Sequence, residues 1–137
     1  IVHRNRSNEI VYFSYHQWAV LPEVSIRKLA KDYFRTTREF AEVSNYISDN
    51  RPDYRLDIEV SRIEMLDIDN ETNAHVLISY TYTDARSDQL ILQETYDKSS
   101  MMSKKDMNLL AISVSALIWD SLDQLYRKIA EYHNINN

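Results

Sequence analysis

YRLDIEVSRIEMLDIDNETNAHVLISYTYTDARSDQLILQETY, residues Tyr54–Tyr96, alternates apolar and polar side chains with the two-residue period of a half-buried strand. Tyr54, Leu56, Ile58 and Val60 share one face. The phase then slips, because the next apolar pair is Ile63 and Met65, and the slip predicts a bulge near Ser61–Arg62. DNETN at Asp69–Asn73 carries hairpin turn chemistry. Ala74, Val76, Ile78, Tyr80 and Tyr82 mark the returning strand, Asp84–Asp88 a second turn, and Leu90, Leu92 and Tyr96 a third strand.

Helical periodicity flanks this block on both sides. Pro22 suits the first turn of a helix, where its missing N–H costs nothing. Ile26, Leu29, Ala30, Tyr33 and Phe34 then form one amphipathic stripe, giving a helix near Pro22–Thr36. Phe40–Val43 reads as a short connector or strand, and SDNRPD at Ser48–Asp53 as a turn. Downstream, Ser103 to Asp106 fits an S-x-x-D cap for a helix near Lys104–Tyr132. Its buried face carries Met107, Leu110, Val114, Leu117, Ile118, Leu125 and Ile129, with Asp120 and Asp123 directed away as solvated residues. The expected fold is α+β, a two-layer α/β arrangement. A mixed, largely antiparallel sheet of about five strands carries two main helices, and residues 1–137 make one domain.

The densest aromatic stretch lies upstream, in NEIVYFSYHQWAVLP at Asn8–Pro22. Ile10–Trp18 reads as extended, with Ile10, Tyr12, His16 and Trp18 on one face and Val11, Phe13 and Tyr15 on the other. Two apolar faces fit an interior strand or one whose second face meets a partner. Tyrosine suits surfaces with one apolar and one wet end. Tyr12, Tyr15, His16 and Trp18 are therefore the candidate partner-binding residues, while Tyr12, Tyr15, Tyr80 and Tyr82 are alternatively neighbours in a sheet core.

Composition removes many chemistries. With no glycine among 137 residues, no glycine-dependent phosphate loop can form. Positive-φ turn positions pass to Asn and Asp, with Asn50, Asn70 and Asn73 as candidates. With no cysteine there is no thiol nucleophile, disulfide or cysteine zinc site. A net charge of −5 argues against a nucleic-acid surface. His3, Arg4 and Arg6 read as a basic tail flanking a strand. No apolar run reaches the roughly 18 residues of a membrane span. The chain opens on Ile1-Val2 without a signal-peptide pattern, as expected of a piece of a longer product whose targeting segment has been removed.

Catalytic groups are sparse. His3, His16, His75 and His133 stand apart without metal-ligand spacing, so no metal and no cofactor is expected. Asp67, Asp69 and Glu71 mimic the start of a calcium loop, but Thr72 occupies the glycine position and no glutamate closes it. Glu59 and Glu64 are a carboxylate pair of the kind that solvated strand faces routinely carry. The expectation is a protein that is not an enzyme.

The opening segment IVHRNRSNEIVYFSYHQWAVLP resembles the signature of the ABC-type transport auxiliary lipoprotein component family. The residues that carry the likeness are Ile1, Val2, Arg4, Asn8, Glu9, Tyr12, Tyr15, His16, Trp18, Ala19 and Pro22, and it continues through Phe40–Val43, Asp53–Leu56, Tyr82–Asp84 and the closing helix. Gln17 stands where the family usually has arginine, Leu21 replaces the first of two prolines, and the family's hairpin glycines are missing. The resemblance implies a periplasmic lipoprotein of a Gram-negative-type envelope, held to the outer or inner membrane by an anchor outside this chain. It would be accessory to an ABC permease with an MCE-domain substrate-binding protein that moves phospholipids or other hydrophobic molecules. It would act by docking, with homo-oligomers possible. Two other readings stand beside it. One is an envelope domain binding lipid or a small molecule between sheet and helices, although the packing pattern shows no pocket for it; the other is a scaffold similar to the amino-terminal domain of TolB.

Overall fold

The computed structural model describes residues 2–4, 10–12, 22–40, 42–44 and 52–136. In chain order the elements are β1 (Val2–Arg4), β2 (Ile10–Tyr12), α1 (Pro22–Thr37), β3 (Tyr54–Ile68), β4 (Glu71–Asp84), β5 (Leu90–Met102) and α2 (Met107–Asn136). The five strands form one sheet in the order β2-β1-β3-β4-β5. Only the β1–β3 pairing is parallel, so the sheet is mixed and largely antiparallel, as expected. Both helices cover one face: α1 lies over β3, and α2 over β4 and β5.

The phase slip in β3 is real. Val60 pairs with Ile78 but Arg62 pairs with Leu77, leaving Ser61 as the extra residue of a bulge. Before it, Tyr54, Leu56, Ile58 and Val60 face the helices; after it, the buried Ile63 and Met65 do. Ala74, Val76, Ile78, Tyr80 and Tyr82 continue that face on β4, each 3% exposed or less. Ile26, Ala30, Tyr33 and Phe34 of α1 close over it, as do Leu110, Val114, Leu117, Ile118, Leu122, Leu125 and Ile129 of α2. Fully burying one such large side chain is worth about 1.5–3 kcal/mol.

Turns replace the missing glycine mostly with Asp and Asn. The β3–β4 hairpin turns on just Asp69 and Asn70, at φ 50° and 65°, the two positive-φ positions of a tight hairpin turn. Asn73 is not a turn residue: it lies in β4 opposite Leu66, because a two-residue loop already matches the strand twist. Asn50 lies outside the described residues, as do Ser48–Arg51 of the expected turn. In the β4–β5 turn the Asp84 carboxylate accepts from the amides of Arg86 and Ser87, and Asp88 takes φ 58°. Asp67, the first residue of the calcium-like motif, instead accepts from Thr72 at 3.0 Å and pairs with Lys105 at 2.8 Å.

Other boundaries differ from expectation for local reasons. Asp106, not Ser103, caps α2: its Oδ1 accepts from the amides of Asn108 (2.7 Å) and Leu109 (3.3 Å), and the helix begins at Met107. Ser103 instead follows β5 directly, because that strand runs on to Met102. At the end of α1, Thr36 and Thr37 bond back to the carbonyls of Tyr33 and Phe34, and Arg38 leaves the helix at φ 58°. Phe40–Val43 is connector, not strand, tied to the helix by Arg35 donating to the Val43 carbonyl at 3.1 Å. His3 and Arg4 belong to β1, between β2 and β3, and not to a flanking tail.

Asp106→Ala is expected to lower the unfolding free energy by about 1 kcal/mol while Ser103→Ala leaves it unchanged, measured by urea denaturation. Arg38→Gly is expected to raise it by about 1 kcal/mol, since an L-residue pays for the left-handed region that glycine enters freely.

Candidate functional site

Of the candidate partner-binding residues, Tyr12 belongs to the strand at the far end of the sheet from α2. Tyr12 ends β2, which is an edge strand among the described residues. Tyr15, His16 and Trp18 lie outside the described residues. Tyr80 and Tyr82 are core residues of β4, separated from β2 by two intervening strands.

Most described tyrosines act as pins between layers. On the sheet, Tyr96 donates to Asp120 Oδ2 at 2.8 Å, and Tyr80 meets Ser121 Oγ at 2.6 Å. Tyr82 meets His133 Nε2 at 2.9 Å. From α1, Tyr33 donates to Asp123 Oδ1 at 2.5 Å, and Tyr126 reaches back to Glu39 at 3.1 Å. Each ring contributes apolar area to the core and ends in one hydrogen bond: those of Tyr80, Tyr82 and Tyr96 join sheet to helix, and those of Tyr33 and Tyr126 join the two helical segments to each other. Asp120 and Asp123 are therefore not solvated bystanders: they sit at the margins of the buried stripe and receive phenol protons. Burial first, then the adjacent carboxylates, hold the Tyr33 and Tyr96 phenols well above the ordinary tyrosine range; burial does the same for Tyr82.

On the opposite face of the sheet, the hairpin register sets Glu64 directly across from His75. Glu64 is 2% and His75 8% exposed. His75 Nδ1 lies 2.8 Å from Glu64 Oε1, and Nε2 lies 2.6 Å from Asp97 Oδ1 on β5. Arg62 adds a contact to Glu64 Oε2 at 3.5 Å. His75 is thus not isolated, as its sequence surroundings suggested, and Glu59 is not the partner of Glu64, being exposed beyond the bulge. Both ring nitrogens face carboxylate oxygens, so neither is left to take a proton from a nucleophile. The group works as a cross-strand staple of β3, β4 and β5. Its signal was present in the sequence, since a two-residue turn at Asp69-Asn70 already pairs positions 64 and 75. Among the described residues, no group of three or more metal-ligating side chains is placed to hold an ion.

Between α1, the connector residues 38–40 and 42–44, and the sheet lies a half-open cleft of about 230 Å³. Ala30, Phe34, Tyr82 and Ile129 are its buried lining, and Phe40, Val43, Tyr54, Leu56 and Ile58 its half-buried walls. Tyr54 stacks on Tyr82 with centroids 5.3 Å apart, and His133 meets both edge-on. Arg27, Lys31 and Glu42 are its charged lining residues, Arg27 and Glu42 exposed and Lys31 half-buried. No apolar period reveals such a space, because it exists only where the helix leaves the sheet and the connector bridges the gap.

Comparison with known proteins places these features in a family. Residues 1–130 match the family model described as ABC-type transport auxiliary lipoprotein component. No curated protein matches the chain. Among solved structures, a crystal structure of a Xanthomonas campestris protein assigned to the DUF330 family superposes with a TM-score of 0.82 at 18% identity, over 100% of this chain and 78% of that one. A crystal structure of an uncharacterized protein gives a TM-score of 0.67 at 11% identity, over 94% of this chain and 80% of that one. At such identities these neighbours speak to the fold.

The tyrosine pins make a pH prediction. Below pH ~10, folded and unfolded chains both keep their phenol protons. Above it, the unfolded chain releases protons that the raised folded values retain, so rising pH favours unfolding. The melting temperature is expected to stay level from pH ~7 to ~9 and to fall past pH ~10. Part of the phenolate absorbance should appear only together with loss of the circular dichroism signal; complete ionisation of a still-folded chain near pH ~10 would contradict the assignment.

Proposed function

Since the chain belongs to the ABC-type transport auxiliary lipoprotein component family, we propose that it serves its transporter as a non-catalytic docking subunit on the periplasmic side of the envelope. The family makes it an auxiliary component of ABC-type transport and a membrane-anchored lipoprotein. In the finer reading, a lipid anchor outside residues 1–137 holds it to one of the two membranes. The domain then grips an MCE-domain substrate-binding protein whose ABC permease moves phospholipids or other hydrophobic molecules, and it does so singly or as a homo-oligomer.

The observation that carries this reading is the position of β2. The most aromatic segment of the chain begins on a strand that is an edge of the described sheet. An edge strand offers unpaired backbone groups, and the rings of Tyr12, Tyr15 and Trp18, with His16, supply the residue types that dominate contact energetics. The described polar groups support it from the other side. The tyrosines, Asp120, Asp123, Glu64 and His75 are spent on joining layers and strands, and no described buried side-chain polar atom lacks a hydrogen-bond partner.

Tyr15→Ala and Trp18→Ala are expected to reduce capture of the MCE-domain partner by about tenfold or more each, with the melting temperature nearly unchanged. Pull-down and thermal melts on the same preparations check this. Parallel collapse of capture and stability would assign these rings to the core instead.

A further inference from the structure

We propose that the cleft beneath α1 is a binding site for a single-chain anionic amphiphile, an alkyl chain bearing one acidic headgroup. Three independent features of the site select that chemistry. The walls select the tail: Phe34, Phe40, Val43, Leu56 and Ile58 present apolar surface around a space of about 230 Å³, and filling it with hydrocarbon removes that surface from water. The volume selects a slender tail, since it falls below the ~300 Å³ at which drug-sized pockets begin. It takes the inner part of one alkyl chain, the remainder lying along its open side, and has no room for two tails.

The charged lining selects the headgroup. Arg27 and Lys31 are one helical turn apart on α1, and therefore on one side of it. Both line the cleft, and among the described residues neither is engaged in a hydrogen bond or an ion pair. Of the other described cations, Arg55, Arg62, Arg86, Lys98, Lys104, Lys105 and Lys128 have carboxylate partners, whereas Lys28, Arg38 and Arg127 have none among the described residues but do not line the cleft. Among the described residues, Glu42, exposed on the connector, is the one carboxylate lining the same space. Two cations against one carboxylate leave this lining positive on a chain whose net charge is −5. The planar guanidinium of Arg27 suits a carboxylate or phosphate, and Lys31 adds a second charge one turn on. The described lining shares no residue with the aromatic segment that the docking proposal uses, and the two proposals are tested by different variants.

The test is calorimetric titration of the whole chain with dodecyl phosphate below its micelle concentration. Saturable binding of one molecule per chain is expected. Dodecyltrimethylammonium, with the same tail and opposite charge, and inorganic phosphate alone should each bind about tenfold more weakly or worse. The surface pair Arg27→Gln/Lys31→Gln should weaken dodecyl phosphate about tenfold or more, Glu42→Gln should tighten it, and Val43→Trp should block it by filling the space. Melting curves establish that each variant is folded, and the surface pair keeps the test decisive if Val43→Trp is not. Dodecanoate and a lysophosphatidate then separate the two sources of such an anion, free fatty acid or lipid-derived phosphate. Equal affinity for both headgroup charges, or binding that survives loss of both cations, would overturn the proposal. Capture of the MCE-domain partner by the same double variant reports separately on docking.

Discussion

One unpaired residue in β3, Ser61, determines which side of the sheet each later side chain of that strand meets. Side chains alternate strictly along a strand, so a single inserted residue exchanges the faces of everything beyond it. Ile63 and Met65 thereby join the core under the helices, and Glu64 turns to the opposite face, across from His75. Without the insertion, two large apolar side chains would meet water and a carboxylate would be forced beneath α2. The hydrophobic cost of exposing the first two, and the larger cost of burying the third without a partner, both favour the bulge.

The helix layer is then held by amphipathic rings. Tyr80, Tyr82 and Tyr96 rise from the sheet and Tyr33 comes from α1, each burying a ring and ending on a polar group of α2. This uses the phenol at both ends, with apolar area for stability and one directed bond for orientation. Because Asp120, Ser121, Asp123 and His133 lie in the middle and carboxyl-terminal half of α2, the pins fix the rotation of that part of the helix about its axis as well as its distance from the sheet. α1 is held by fewer such bonds, and the cleft lies between it, the connector and the sheet.

The absence of glycine was informative in proportion to local geometry. Asn70 was identified as a positive-φ residue, and Asp69 and Asp88 follow the same chemistry of short side chains that tolerate the left-handed region. Arg38 does not follow it. Its conformation comes from the need to end α1 and send the connector back along the cleft, a requirement imposed by packing and not by residue type. The cap of α2 moved from Ser103 to Asp106 for a similar reason, since pairing with β4 carries β5 through to Met102 and delays the helix.

The strands from Tyr54 onward, the Ser61 bulge, the stripe of α1 and most of the buried face of α2 were determined by sequence alone. Each is written in a period of 2 or 3.6 that burial on one side enforces locally. Tertiary structure alone decided that Val2–Arg4 enters the sheet beside β3 and that Asp120 and Asp123 receive tyrosine protons. It also decided that His75 lies between two carboxylates and that Arg27 and Lys31 line a largely apolar cleft. The physical reason is range: periodicity reports which side of an element is dry, whereas strand register, helix rotation and the gaps between elements are set by partners distant in the chain.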